Sequence, residues 1–373
     1  MIMKDIIPLS PIDHVFTGIG SYPIDFAFYY EQLIDEIRLR SSLKKALMHF
    51  TPVSSRLKKI SERSFGFGFA PDTYGFEVVN SDIGFLETDK RIQYIDRVNT
   101  VEGEPLIRIR LTQTPQGSVL GVSISHAVAD GFSYFYFLTS WSRIFHGKPV
   151  FPPSHQRALL INVSEGPDRP ITSDDVLRES GLFLGSKRQA IPRDRLTWET
   201  VRLGSSELKT MQAEAQEQCE VRLSFNDVVA AILWKRYIPK WDRGKDKEGT
   251  STFMSCPVDF RRLLEGFPQN YFGNAVTLAT SELDYKNLLS SSLTDLALII
   301  RDRIAAIGKA YIQGSMEVLA QLQQQSGPGI NEHIHVTHPE KGMLVTNLSR
   351  LPVPQVEFNA GPPVSYEILT PAV

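Results

Sequence analysis

One stretch, Gly117 to Phe145 (GSVLGVSISHAVADGFSYFYFLTSWSRIF), restricts the fold more than any other part of the chain. Its apolar run from Val119 to Ser125 ends in small residues, as a strand covered on both faces does. A polar corner with His126 and Asp130 follows, then Gly131, then an aromatic-rich helix carrying Phe132, Phe135, Tyr136, Leu138 and Ile144. The corner between strand and helix is a place where side chains project into clefts and backbone amides are free. His126 is therefore a candidate general base, with a structural strand-end histidine as the alternative reading.

At 373 residues the chain exceeds one core and suits two domains. A net charge of −2 gives no electrostatic reason to expect nucleic acid or an anionic membrane as partner. Cys219 and Cys256 lack metal-type spacing and read as free buried thiols in a reducing cytosol, with one disulfide left open. The opening MIMKDIIPLSP has no apolar core before Pro8 and does not read as a signal peptide, and no apolar run reaches a membrane span. The expectation is a cytoplasmic monomer.

Along the chain, Ile24 to Tyr30 reads as an extended aromatic segment, and Ser41 or Ser42 as the cap of a helix carrying Leu43, Leu47 and Phe50. In SFGFGFA (64–70) glycine alternates with phenylalanine, which suits a close-packed strand better than a phosphate loop. Leu106 to Leu111 alternates apolar residues with Arg108 and Arg110, and TPQG (114–117) turns it into a hairpin with the strand before His126. Composition shifts to Pro, Ser, Asp and Arg over 152–194. This divides the chain into 1–151, a crossover linker 152–194, and 195–373. The second half reads as a strand Leu196–Leu203, helices at 206–219 and Ser224–Tyr237, a charged loop 243–249, a strand Ser251–Pro257 and an apolar segment Tyr271–Thr280. A long helix Thr294–Gln313 and a short buried strand Gly342–Asn347 follow.

His126 and Asp130 are four apart, a spacing that would serve half a metal site on a helix, yet no adjacent His or Cys completes a set. No G-x-S-x-G elbow supplies a nucleophile. What remains is a histidine able to deprotonate an acceptor directly, with Asp130 as orienter or anchor. His333 and His335 share a strand face as a metal pair would, but Glu332 is the sole neighbouring ligand, and a surface histidine loop is the reading taken; no metal is expected. Asn270, Gly273 and Asn274 read as structural, setting a turn and the domain contact.

SHAVADG, preceded by LGVSI, resembles the H-x-x-x-D-G signature of the BAHD acyltransferases. These belong to the CoA-dependent acyltransferase superfamily with chloramphenicol acetyltransferase and peptide condensation domains. TPVSSRL (51–57), DVVAAILWKR (227–236), VDFRR followed by YFGNAV, and VTNLSRLP (345–352) resemble further family motifs in the family's order. Three departures stand out. Ser55 replaces a glycine, Leu348 replaces the strand tryptophan, and EFNAG (Glu357 to Gly361) stands for the family's D-F-G-W-G. The resemblance also leaves the second domain short of its last strands.

The resemblance implies two chloramphenicol acetyltransferase-like α/β domains of mixed sheet and helices with a channel between them. It implies acyl-CoA as co-substrate, no tightly bound cofactor, and a small-molecule alcohol, phenol or amine as acceptor. His126 is then the general base, Thr346 the oxyanion donor (or a plain buried strand threonine), and Asp130 a loop anchor paired with Arg261 beside Gly131. Lys235 and Arg236 are candidates for the CoA phosphates, against a solvated helix end. A condensation-like enzyme fed by a carrier protein is the alternative within chemistry, disfavoured because Ser125 stands where a second histidine is usual. A catalytically weak binding protein on the same scaffold is the alternative outside it.

Overall fold

The run from Gly117 forms the centre of the largest sheet, and every one of its nine strand residues is buried. The structure, a computed structural model, describes residues 6–70, 74–87, 91–161, 169–189, 199–241, 250–326 and 329–370. In chain order the strands are β1 (Ile6–Pro8), β2 (Pro23–Tyr30), β3 (Ser55–Lys59), β4 (Phe65–Phe69), β5 (Gly75–Asn80), β6 (Ile107–Thr114), β7 (Gly117–Ser125), β8 (Phe183–Leu184), β9 (Ser251–Asp259), β10 (Val276–Asp284), β11 (Ile334–His335), β12 (Gly342–Leu344) and β13 (Ser365–Ile368). The helices are α1 (Pro11–Val15), α2 (Glu36–His49), α3 (Gly131–Phe145), α4 (Ala158–Ile161), α5 (Ser173–Ser180), α6 (Ser205–Glu217), α7 (Phe225–Trp241), α8 (Tyr285–Ser290), α9 (Leu293–Ala305) and α10 (Lys309–Gln325). This is the mixed α/β architecture that the family resemblance implies.

The first sheet has the order β13-β2-β7-β6-β5. Alternation along β2 explains why it shows no polar face. Ile24, Phe26, Phe28 and Tyr30 join the core under α2 and α3, while Ala27 and Tyr29 pack with Phe85, Tyr94 and Ile95 on the other side. Both faces are covered, so both registers are apolar. On β7, Gly121 faces the backbone of that second cover, where an added Cβ would lie 1.8 Å from the Tyr94 carbonyl oxygen. A hairpin turning from Thr114 to Gly117 joins β6 to β7. Beside this sheet stands a small antiparallel one, β1-β4-β3, in which the FGFGF segment is the central strand.

The second half builds on β9 and β10, paired antiparallel, with β12 parallel to β9. Trp234 of α7 and Leu296 and Ile300 of α9 bury against Met254 and Ala279 of these strands. A third cluster joins Ile12 and Val15 of α1 to Met316, Leu319 and Leu322 of α10, so the N-terminus is packed onto the second half.

Several local expectations are corrected. The helix expected from Ser41 or Ser42 starts earlier, capped by Asp35, whose carboxylate accepts from Arg38 N–H at 3.0 Å. Ser42 lies inside it, where its Oγ bonds the Leu39 carbonyl and accepts from Trp141 Nε1. The single helix Thr294–Gln313 is two, α9 and α10, because Gly308 adopts an extended conformation and starts a new one. The strand Gly342–Asn347 stops at Leu344 and is half-buried. Asn347 Oδ1 takes the Ser349 N–H at 3.0 Å, a local turn that competes with the ladder. The strand placed at Leu196–Leu203 is not found: 199–203 is not strand, and 196–198 lie outside the described residues. The loop 243–249 lies outside them as well. The described part of 152–194 carries α4, α5 and β8. At the other end of the chain, β13 pairs with β2 in the first sheet.

Candidate active site

His126 is the first residue after β7, and the turn it opens ends at the cap of α3. Asp130 is that cap: its Oδ1 accepts the Ser133 N–H at 2.9 Å. The same carboxylate is gripped from the second half of the chain. Arg261, just beyond β9, places Nη1 2.8 Å from Oδ2 and Nη2 3.0 Å from Oδ1, while Ala275 N–H donates to Oδ2 at 2.9 Å. Burial alone would raise the Asp130 carboxyl, but Arg261 and the two amides hold it below the usual carboxylate range. Arg261 also donates to the carbonyls of Tyr271 and Gly273 and lies under the Phe132 ring at 4.4 Å. The pair thus ties the corner between β7 and α3 to the segment before β10. Gly131 is the first residue of α3, and a Cβ there would meet nothing within 4 Å.

Around the histidine the structure gathers Asn274, which the sequence reading took as structural, with Phe16, Asp13, Arg157 and Arg188, which it did not single out. The His126 ring stacks on Phe16, with centroids 3.9 Å apart and planes 19° from parallel. Arg188 clamps both sides of Phe16, donating to the Val15 and Thr17 carbonyls at 2.7 Å each. His126 Nδ1 lies 3.1 Å from Asn274 Oδ1. Asn274 Nδ2 donates to Asp13 Oδ1 at 2.7 Å and to the His126 carbonyl at 2.8 Å. Asp13 is fully buried and paired with the equally buried Arg157, Nε to Oδ2 at 2.8 Å. His126 Nε2 has no hydrogen-bond partner among the described residues. Burial pushes His126 below the ordinary histidine value, against the pull of Asp130, its own carbonyl, Asn274 and Asp13.

Part of this was open to a sequence reading. Ser10-Pro11-Ile12-Asp13 is a capping box with proline at the first helical position, and both reciprocal bonds form. That signal finds α1, but not that the outer oxygen of Asp13 faces Asn274. Arg157, inside the expected linker, carries no local signal.

The remaining candidates are not brought to His126 by any hydrogen bond. Thr346 is exposed, beyond the end of β12. Lys235 donates to the Ser291 carbonyl, and Arg236 is exposed and 3.4 Å from Glu199. His333 and His335 bond the carbonyls of Gly185 and Ser186, and no group of His, Cys, Asp and Glu among the described residues could hold a metal. The departures EFNAG and Leu348 are both packed on the first core. Phe358 sits 5.2 Å from the rings of both Trp141 and Phe145, at the end of α3 remote from His126, and Asn359 bonds Leu33 and Asp35 ahead of α2. This segment is a staple for two helices. Both cysteines are free, and no described helix is long and apolar enough to cross a membrane.

Comparison with known proteins agrees with this arrangement. The profile described as the transferase family matches residues 2–372. A hydroxycinnamoyl-CoA:piscidic acid hydroxycinnamoyltransferase of Actaea racemosa is 25% identical over 355 residues, covering 87% of this chain and 78% of its own. A hydroxycinnamoyl-CoA:5-hydroxyanthranilate N-hydroxycinnamoyltransferase of Avena sativa is 28% identical over 353 residues, covering 88% and 77%. Among solved structures, F. graminearum TRI101 complexed with ethyl coenzyme A superposes with a TM-score of 0.74 at 14% identity, over 99% of this chain and 89% of that one. The last likeness establishes the two-domain, chloramphenicol acetyltransferase-like fold.

Proposed function

The chain belongs to the transferase family, that of the BAHD acyltransferases, and we propose that it moves an acyl group from an acyl-CoA thioester to a hydroxyl or amine of a small molecule. The observation that carries the reading is a partly exposed histidine whose Nδ1 is engaged by Asn274 and whose Nε2 is left free. In the step proposed, Nε2 takes the acceptor's proton as the acceptor oxygen or nitrogen bonds to the thioester carbonyl carbon. The carbonyl electrons move to oxygen, to which the exposed Thr346 hydroxyl donates. Collapse breaks the carbon–sulfur bond, and His126 returns the proton to the departing thiolate. No acyl-enzyme forms. Asp130, Gly131 and Arg261 hold the corner, and Arg236, more exposed than Lys235, is the better candidate for a CoA phosphate.

The relatives' names supply the substrate classes: hydroxycinnamoyl-CoA as donor, and piscidic acid or 5-hydroxyanthranilate, both carboxylic acids, as acceptors. A cavity of about 510 Å³, which His126 itself does not line, has room for the carboxylate end of an acceptor of that kind. Its wall includes Tyr22, Arg188, His335 and Thr337, and Tyr22 is edge-on to the Phe16 ring that covers His126. The buried Thr337 hydroxyl has no hydrogen-bond partner among the described residues, and the Tyr22 hydroxyl faces the Arg188 guanidinium. Donors of this kind suit a carboxylate. The division into 1–151, a 152–194 crossover and 195–373, with β13 crossing back, belongs to the same reading, as does a cytoplasmic monomer, in keeping with two free thiols.

The test is CoA thiol release from hydroxycinnamoyl-CoA with an aminobenzoate acceptor, for the native protein and His126→Ala. Acceptor-dependent release that falls roughly 10²–10⁴-fold in His126→Ala is the expected result. Release that His126→Ala leaves unchanged refutes the role of the histidine.

A further inference from the structure

A histidine base beside a thioester carbonyl does not choose its nucleophile: it deprotonates water as well as an alcohol or amine. What reaches the ring decides whether the acyl group is transferred or lost as free acid. The ring of Phe16 lies on one face of the His126 imidazole, centroids 3.9 Å apart and planes 19° from parallel. Phe16 is 4% exposed, so its ring closes that face to solvent. A stacked ring leaves the in-plane lone pair at the imidazole edge open. Phe16 also meets Tyr22 edge-on, at 6.4 Å and 74°, and Tyr22 belongs to the wall of the cavity of about 510 Å³. It thus touches both the base and the cavity wall, while His126 does not line the cavity.

The ring is held in place from two directions. Phe16 is where α1 ends, with φ −98° and ψ 20°, and its N–H bonds back to the Asp13 and His14 carbonyls. A helix of five residues does not hold its own end firmly. Arg188, from beyond the first sheet in the chain, binds the carbonyl on either side of Phe16: Nη1 that of Val15 and Nη2 that of Thr17, both at 2.7 Å. Its guanidinium also lies 5.1 Å from the centre of the Tyr22 ring. Arg188 is 4% exposed, and no carboxylate pairs with it among the described residues. Placing a buried cation without an anion costs free energy. Ordinary core packing does not require a buried guanidinium on both flanks of one phenylalanine.

We infer that Phe16 is a specificity-determining residue, a shield over His126 that keeps water from the base and leaves Nε2 to an acceptor held in the cavity, so that transfer outruns hydrolysis. The inference rests on the acyl-transfer reading for its reaction and on the stacked ring for its geometry. Without the ring, a water oxygen bonds to the thioester carbonyl carbon as His126 Nε2 takes its proton. The carbon–sulfur bond then breaks, the proton passes to the departing thiolate, and the products are free acid and CoA thiol. Water is the added reactant. A leucine at this position fills much of the space but covers an imidazole face less completely than a flat ring does.

Two measurements test this. Native protein, Phe16→Leu, Phe16→Ala and Val15→Ala are incubated with hydroxycinnamoyl-CoA and an aminobenzoate, and free hydroxycinnamic acid and acylated aminobenzoate are separated and measured. The ratio of free acid to acylated product should rise roughly tenfold or more in both Phe16 variants. It should stay within about twofold of native in Val15→Ala, which loosens the same apolar cluster away from the stacked ring. His126→Ala added to Phe16→Leu should remove the extra free acid. An unchanged ratio in folded Phe16→Leu, or an equal rise in Val15→Ala, overturns the proposal. The second measurement needs no acyl transfer. Diethyl pyrocarbonate modifies an unprotonated imidazole nitrogen, and the mass of the peptide carrying His126 follows its rate at about pH 7.5. The rate should rise several-fold in Phe16→Leu and further in Phe16→Ala, and equal rates in native protein and variants overturn the shield. If the rate rises as expected but the native protein acylates no acceptor, the shield stands and the acyl-transfer reading fails.

Discussion

Replacing Arg261 by alanine removes one end of an ion pair that joins the two halves of the chain at the site. Both partners are buried, Arg261 at 2% and Asp130 at 5% exposure, so the remaining carboxylate would face a dry environment. Breaking a buried pair from one side costs about 3–5 kcal/mol. Asp130 keeps the Ser133 and Ala275 amides, which places the expected loss near the lower end, about 3 kcal/mol. The freed carbonyls of Tyr271 and Gly273 can reach water once the guanidinium is gone. Urea unfolding of native protein, Arg261→Ala and Asp130→Asn/Arg261→Met measures this. The double variant, with no uncompensated buried charge, should lose less than Arg261→Ala. The pH dependence gives a second check. In the native protein Asp130 lies below its unfolded value of about 3.9, so the stability it contributes is full above that pH and is lost as pH falls through the lowered folded value. In Arg261→Ala burial is opposed only by the Ser133 and Ala275 amides, and the carboxyl rises. Acid then relieves the variant, and its deficit should shrink as pH falls toward 4. A deficit under about 1 kcal/mol, or one that does not change with pH, refutes the reasoning.

Burial places the His126 value below 6.5, so the acidic limb of kcat/KM should fall below pH 6.5; a limb above it would contradict the geometry. Thr346→Ala should lower kcat by roughly 10²-fold with KM nearly unchanged, and a change under twofold removes Thr346 from the mechanism. Gly121→Ala, whose new Cβ would meet the Tyr94 carbonyl at 1.8 Å, should destabilise by about 1–3 kcal/mol in thermal or urea unfolding. Burial and then Asp227 push the Cys256 thiol up to about 12, so a thiol reagent at pH 8 should label the half-buried Cys219 in the native protein and Cys256 only on unfolding.

What could be read from the sequence follows the range over which each feature is encoded. The strand, corner and helix around His126 are contiguous, and their composition alone states the pattern. The partnership of Asp130 with Arg261 spans 131 residues and was accessible only through the likeness of two separate motifs to a family. The Asp13–Asn274 contact spans 261 residues, and nothing in SPID or YFGNAV announces it. Asn274 looked structural because an amide has no charge to attract notice; its bonds to Asp13 and His126 arise only in the fold. Boundaries failed for local reasons. Asp35 outcompeted two serines as a cap, Gly308 interrupted an otherwise helical run, and Asn347 folded its side chain back on the chain where a strand was expected.

The pairing of β13 with β2 also has a consequence in time. Glu367 of β13 and Tyr29 of β2, whose side chains bond at 2.8 Å, are 338 residues apart. At synthesis rates of roughly 5–20 residues per second, β2 waits on the order of 20–70 s for its last neighbour. From the moment β7 has emerged to pair with β2 until β13 follows, the ribosome carries a sheet with an open, aromatic edge, a surface that invites pairing with other nascent chains. The interval in which this protein most needs a chaperone is therefore set by where β13 lies in the message.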